Sequence, residues 1–249
     1  MSRRSAPSRL PPPFLRQVCY QPGAAIGSDY PFNLSLFARA DFAVDFDRPI
    51  TILVGENGTG KSTLLEAIAR QCGFALHGGN RNQLTDPGAE VAPLADILRL
   101  SWLPKVTTGF FLRAETFFNL ASNLDAMFEE GSAYGDKRLH HQSHGEAFLA
   151  LFGHRFQGRG IYIMDEPEAA LSPSRQLAFL LILRRLEQSG EAQVLIASHS
   201  PMLIAYPGTQ VLELKAGGIG AVDYRETNHF RLMRRFLDNP EAYFAHLFR

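Results

Sequence analysis

Apolar positions along this chain follow two rhythms. Short, nearly continuous apolar runs at Ile50 to Val54, Ile161 to Met164 and Gln193 to Ala197 read as strands buried on both faces, the pattern of a parallel sheet. Between them, apolar residues recur at helical spacing in Leu64 to Ala69, Glu115 to Phe128, Ser143 to Phe156 and Pro173 to Gln188. Leu98 to Trp102, Thr108 to Leu112, Gln210 to Leu214 and Ala221 to Tyr224 add shorter strands, the last two separated by Gly217, Gly218 and Gly220. Leu34 to Phe46 alternates well enough for two short strands, with Asp47 to Pro49 as a turn. Residues 77 to 93 and Gly131 to Gln142 are polar and rich in turn formers, which makes them loops. A closing helical pair is interrupted at Asn239-Pro240. Strands alternating with crossover helices define an α/β chain with a largely parallel sheet.

Composition narrows this picture in three places. Twenty-five basic and 25 acidic residues cancel, which argues against broad attraction to nucleic acid or to anionic lipid. Cys19 and Cys72 stand apart from any C-x-x-C or zinc spacing, which suits a reducing cytoplasm. The longest apolar run in a helical context, Leu177 to Leu183, is far shorter than the roughly 20 residues needed to span a bilayer, so a soluble chain is expected. Arg3, Arg4, Arg9 and Arg16 make the start basic, and Pro7 and Pro11 to Pro13 break it, so residues 1–29 read as a flexible tail. Residues 30–225 form the main domain, with a helical lobe at about 113–158. Residues 226–249 form a helical extension whose Phe230, Met233, Phe236, Leu237, Tyr243, Phe244 and Leu247 are expected to pack on that domain.

The chemistry begins where the strand Ile50 to Val54 runs into Gly55-Glu-Asn57-Gly58-Thr59-Gly60-Lys61-Ser62-Thr63. Gly55, Gly60, Lys61 and Ser62 fill the phosphate-loop pattern G-x-x-x-x-G-K-[ST] between a strand and a helix. The glycines let backbone N–H groups turn toward phosphates, Lys61 reaches the terminal phosphates, and Ser62 offers a hydroxyl to Mg²⁺. Asp165 and Glu166 end the strand from Ile161. The first is placed to hold Mg²⁺ through water, and the second to polarise a water attacking the γ-phosphate. His199 follows the strand Val194 to Ala197, and a parallel neighbour would bring it to the same rim, able to touch the γ-phosphate or hold the attacking water. Ser200-Pro201 also reads as an ordinary helix start. Ser143-His144-Gly145-Glu146 is an S-x-x-E capping box, and its hydroxyl, backbone N–H groups and helix N-terminus equally suit an anion.

Together and in this order, these four elements resemble the ATP-binding cassette type of P-loop ATPase, in the branch of SMC-type and OLD-type proteins. GENGTGKSTLLEAIA, GFFLRAETFF, DEPEAALSP and ASHSP are similar to OLD-type and AAA-family ATPase groups over roughly residues 30 to 215. The resemblance implies a mixed, largely parallel sheet, a small antiparallel amino-terminal sheet and a helical lobe. It implies ATP as ligand, hydrolysis to ADP and phosphate, and two ATP molecules held between two protomers, with Ser143 and Gly145 touching the γ-phosphate in trans. The driven partner is then a protein or a nucleic acid. A transporter's nucleotide-binding subunit and an ATP-binding switch with little turnover are the alternatives. His144 and Gln142 depart from the usual signature, Ser172 stands where an aspartate is usual, and Arg113 stands near the expected glutamine of the Q-loop. An aromatic is expected against adenine upstream of the loop, a role open to Phe37 or Phe42, although core packing is the favoured reading of each. The interval from Ser62 to Ser143 has no room for coiled-coil arms, and an appended nuclease domain is not expected after His199.

Overall fold

A computed structural model describes residues 10–76, 90–114 and 158–248. Two sheets organise them. The larger has six strands in the order β5 (Gly109–Arg113), β6 (Gly160–Asp165), β7 (Ala192–Ala197), β3 (Ile50–Val54), β8 (Gln210–Lys215) and β9 (Gly218–Ala221). All its pairings are parallel except β8 with β9, which form an antiparallel hairpin. The smaller sheet is antiparallel, with β1 (Leu15–Tyr20) between β2 (Ala43–Asp45) and β4 (Leu98–Trp102). This is the mixed, largely parallel sheet with a small antiparallel partner that the sequence predicts.

β3, β6 and β7 are buried along their whole length, so both faces need cover. Alternation sends Ile52, Val54, Tyr162, Met164, Val194 and Ile196 to one face, packed against Phe179 and Leu183 of α3 (Pro173–Ser189). Leu53, Ile161, Ile163, Leu195 and Ala197 point to the other, against α1 (Lys61–Gln71), α2 (Ala92–Ile97) and the antiparallel sheet. The remaining helices, numbered along the described residues, are α4 (Pro201–Ile204), α5 (Asn228–Asp238) and α6 (Pro240–Leu247).

Several expectations are corrected here. Within the expected 1–29 tail, Leu15–Tyr20 is the central strand of the antiparallel sheet, with Leu15 and Val18 fully buried. The fully buried Gln193 of β7 holds it. Gln193 Oε1 accepts from the N–H groups of Phe14 and Leu15 at 2.8 and 2.7 Å, and its amide donates to Leu15 O at 2.9 Å. Of the two strands expected in Leu34 to Phe46, only Ala43–Asp45 forms, and the residues before it make turns. β9 lies three residues earlier than its expected start at Ala221. The helical pair at the end is present and breaks at Asn239, but none of its residues is buried, and Leu237, Leu247 and Phe248 are 68%, 68% and 80% exposed. It therefore docks through its first turn and does not complete the core. The expected helical lobe at 113–158, with Ser143 and Gly145, falls almost entirely outside the described residues.

Candidate functional site

The site forms at the carboxyl ends of three adjacent parallel strands. Leu53 and Asp165 both lie level with Ala197 of β7, so the residues after β3, β6 and β7 emerge side by side at one rim. Gly55 leaves β3 at φ 151°, and a Cβ there would meet Leu214 O at 2.7 Å. Gly60 turns the chain into α1 at φ 96°, where a Cβ would meet the Phe37 ring at 2.8 Å. Phe37 is thus the floor under the loop. It and Phe42 are 0% and 4% exposed, so both are core residues, the favoured reading of each, and neither is open to adenine. Tyr30, 42% exposed, instead lines the cavity of about 570 Å³ beside Asn57, Gly58, Gly60, Lys61, Ser62, Thr63, Glu166 and His199, and its hydroxyl lies 2.9 Å from Thr63 Oγ1. Its signal in the sequence was an aromatic upstream of the loop, in a Gly- and Pro-rich stretch that offered no packing partner.

Lys61 is 5% exposed and donates to the carbonyls of Gly55 at 2.7 Å and Glu56 at 3.1 Å. Burial lowers its pKa, against the opposing charges of Glu166, Asp165 and Glu56. Thr59 closes the loop by donating to Glu56 O at 2.8 Å. Ser62 Oγ donates to Asp165 Oδ1 at 2.9 Å, which brings together the hydroxyl and carboxylate read as a Mg²⁺ site. Among the described residues, no cluster of three or more His, Cys, Asp or Glu is arranged to hold a metal. The Ser62 hydroxyl and Asp165 carboxylate oxygens, 2.9 Å apart, fit an ion that keeps waters and takes its other oxygens from phosphates. Arg113, level with Asp165 on β5, lies 3.3 Å from Asp165 Oδ2 and 2.6 Å from Glu66 Oε1. Its observed partners are these two carboxylates, an ion-pair bridge where the sequence suggested a Q-loop position.

Glu166 is the only non-glycine residue with positive φ among the described residues, at φ 49°, ψ 52°. Its N–H extends the ladder to Ala197 O at 3.0 Å, and the left-handed turn then separates its side chain from that of buried Asp165. Such a conformation costs of order 1 kcal/mol and tends to mark functional positions. Glu166 Oε1 lies 3.5 Å from His199 Nε2. Burial, then the charge of Lys61, holds the His199 pKa below its ordinary value. Ser172 occupies the N-cap of α3 without making a side-chain capping bond.

Two further residues complete this rim. Glu168 Oε1 accepts from Ser198 Oγ at 2.9 Å, His199 N at 2.6 Å and Ser200 N at 3.1 Å, so it braces the segment carrying His199. Burial raises its pKa, and the backbone donors oppose that rise. The second glutamate of D-E-P-E, beside an apolar Ala-Ala-Leu, was its available signal. His229 Nε2 lies 2.8 Å from His199 Nδ1, and no local pattern links those two positions.

Two family models match the sequence: "AAA domain" over residues 33–97 and "AAA domain, putative AbiEii toxin, Type IV TA system" over residues 138–205. A "putative ABC transporter ATP-binding protein" of Geobacter sulfurreducens is 26% identical over 76% of this chain and 70% of its own length. The aliphatic sulfonates import ATP-binding protein SsuB 2 of Streptomyces avermitilis is 28% identical over 71% of each chain. Among solved structures, CbiO1 from Clostridium perfringens matches with TM-score 0.49 and 15% identity over 94% of this chain and 99% of its own. The SMC head domain from Thermotoga maritima matches with TM-score 0.46 and 15% identity over 84% and 98%.

Proposed function

We propose that this chain, an ABC-type P-loop ATPase that binds ATP, hydrolyses it in a Mg²⁺-dependent cycle that closes two copies of the chain around two nucleotides. The observation that carries the reading is the convergence of Lys61, Ser62, Asp165, Glu166 and His199 at one rim, with Glu166 set apart by its left-handed backbone. Gly55, Asn57, Gly58, Thr59, Gly60 and Thr63 shape the loop whose N–H groups take the phosphates, and Lys61 exchanges its loop carbonyls for the terminal phosphates. Ser62 and Asp165 would hold Mg²⁺, which when bound neutralises charge developing on the phosphate oxygens. Glu166 polarises the attacking water, and His199 donates from Nε2 to the γ-phosphate. In the closed pair, Ser143 and Gly145 reach the nucleotide of the partner subunit.

The cycle drives a protein or nucleic-acid partner in the cytoplasm, which two cysteines with no C-x-x-C spacing suit. No helix among the described residues is long and apolar enough to cross a membrane. The names of the two sequence relatives favour a second reading, an ATP-binding subunit that couples to a transporter. Retention of the chain by a membrane permease on purification would select that reading.

Phosphate release and sedimentation, measured together with Mg-ATP, test the proposal. Wild type should release phosphate. Glu166→Gln should bind ATP, lose roughly 10²- to 10⁴-fold in turnover, and sediment as a dimer. Equal turnover removes Glu166 from the base role, and a monomer at saturating Mg-ATP removes the closed pair.

A further inference from the structure

The histidine pair at the rim contains a constraint on protons. His199 Nδ1 and His229 Nε2 are 2.8 Å apart, with ring centroids 4.8 Å apart and planes at 59°. When both rings are neutral, a single proton lies between these nitrogens. If His199 carried it on Nδ1, its Nε2 would turn a lone pair toward Glu166 Oε1 and toward phosphate oxygens, which are all acceptors. If His229 carries it, His199 keeps its own proton on Nε2 and can donate into the site. His199 Nε2 makes no hydrogen bond among the described residues, and Glu166 Oε1 lies 3.5 Å from it.

The surroundings favour neutral His199, so its choice of tautomer matters. Facing His199 are Lys61 and Glu56 of the loop, Glu166 beyond β6 and His229 on α5, and Glu168 accepts from its backbone N–H. Burial and Lys61 outweigh the carboxylates and hold its pKa low. His229 lies in the first turn of α5, beside a cavity lined by Glu56, Glu213, Lys215, Glu226 and Arg231. An imidazolium would donate from both nitrogens regardless of its neighbour, whereas a neutral ring depends on that neighbour.

α5 is positioned for this task. Its N-cap Thr227 is fully buried and donates to Tyr224 O at 2.7 Å, while Asn228 Nδ2 donates to Glu56 Oε1 at 3.2 Å. We propose that His229 is a positioning residue for ATP hydrolysis. Its Nε2–H donates to His199 Nδ1 and holds His199 in the Nε2–H tautomer facing the γ-phosphate. The assignment rests on the hydrolytic reading above for its kinetic consequence, but not for the tautomer itself. It also makes the carboxy-terminal helix pair part of the catalytic arrangement.

The test combines ¹⁵N spectra of histidine-labelled full-length chain with Mg-ATP turnover, for wild type, His229→Ala, His229→Gln and His229→Glu. His199→Gln identifies the His199 signals. Wild type should show His199 as the Nε2–H tautomer. His229→Ala should lose that preference and about 3- to 10-fold in kcat with KM nearly unchanged, the worth of one net hydrogen bond. His229→Gln, which keeps an N–H donor, should recover both. His229→Glu offers only an acceptor, and well above the ordinary histidine range, at about pH 8.5, it should turn over more slowly than His229→Gln. An Nδ1–H tautomer in wild type, equal kcat for His229→Ala and wild type, or equal rates for the Gln and Glu variants would each overturn the assignment. If His229→Ala fails to fold, the Gln and Glu pair decides. A wild type without turnover would defeat the hydrolytic reading, and the spectra would still decide the tautomer.

Discussion

Lys61 is the only lysine among the described residues that is buried, and both its hydrogen-bond acceptors are backbone carbonyls of its own loop. Burial disfavours its charge, while Glu166, Asp165, Glu56 and Glu168 together favour it, so the loop holds a cation paired by field more than by direct contact. A phosphate would supply that direct contact as a charge-assisted bond. Lys61→Ala should therefore weaken ATP binding by about 10- to 100-fold, the worth of roughly 1.5–3 kcal/mol for a hydrogen bond to a charged group. Titration calorimetry with the fold checked by circular dichroism would measure it. The phosphate loop, Asp165, Glu166 and His199 were legible in the sequence because each follows directly on an apolar strand, so local order already places it at a strand end. Tyr30, Glu168 and His229 were not, because their partners lie 33, 30 to 32 and 30 residues away along the chain.

Among the elements, the pairing of β5 with β6 is the most sensitive to a single atom. Gly109 starts β5 at φ 152°, and a Cβ there would stand 1.9 Å from Ile161 O and 2.8 Å from the Phe74 ring. Gly58, at φ 77° with nothing within 4 Å of the added carbon, carries only the backbone penalty. Gly58→Ala should cost about 1–2 kcal/mol of stability. Gly109→Ala should cost more than that, because the clash with a strand backbone adds to the strain and displaces the strand bearing Arg113. Urea denaturation of the two variants side by side tests the order. The buried strands β3, β6 and β7 were readable from their unbroken apolar runs. β1 was not, since Arg16 and Gln17 dilute its pattern and prolines precede it. What makes Leu15–Tyr20 a strand is its pairing with β2 and β4, and the side chain of Gln193, 178 residues beyond Leu15, anchors its start.

For the molecule as a whole, the rim ties stability to pH through two groups of opposite sense. His199 has a folded-state pKa below its ordinary 6.5, so the unfolded chain binds that proton more readily. Its contribution is complete above about pH 6.5 and is lost as the pH falls below it. Glu168 has a folded-state pKa above its ordinary 4.5, so its contribution is complete below that value and is lost as the pH rises through the folded pKa. The two senses are opposite, so comparison with a variant lacking the imidazole isolates the histidine. Melting temperature should fall from about pH 7 to pH 5.5 in wild type, and fall less in His199→Gln. An identical decline in both would place the titrating group elsewhere.

By itself the sequence determined that the chain is an α/β protein with a phosphate loop, a strand-end Asp-Glu pair and a histidine-ended strand. It could do so because such features are written in contiguous residues whose periodicity and order suffice. Only the tertiary structure decided which residues lean on them: Phe37 under Gly60, Arg113 across Asp165, Glu168 behind the His199 segment, and His229 against His199 itself. Each of those is a contact between elements. Hydrogen bonds reach about 3 Å, so which distant donor meets which acceptor is settled by how the strands stack and not by any local pattern along the chain.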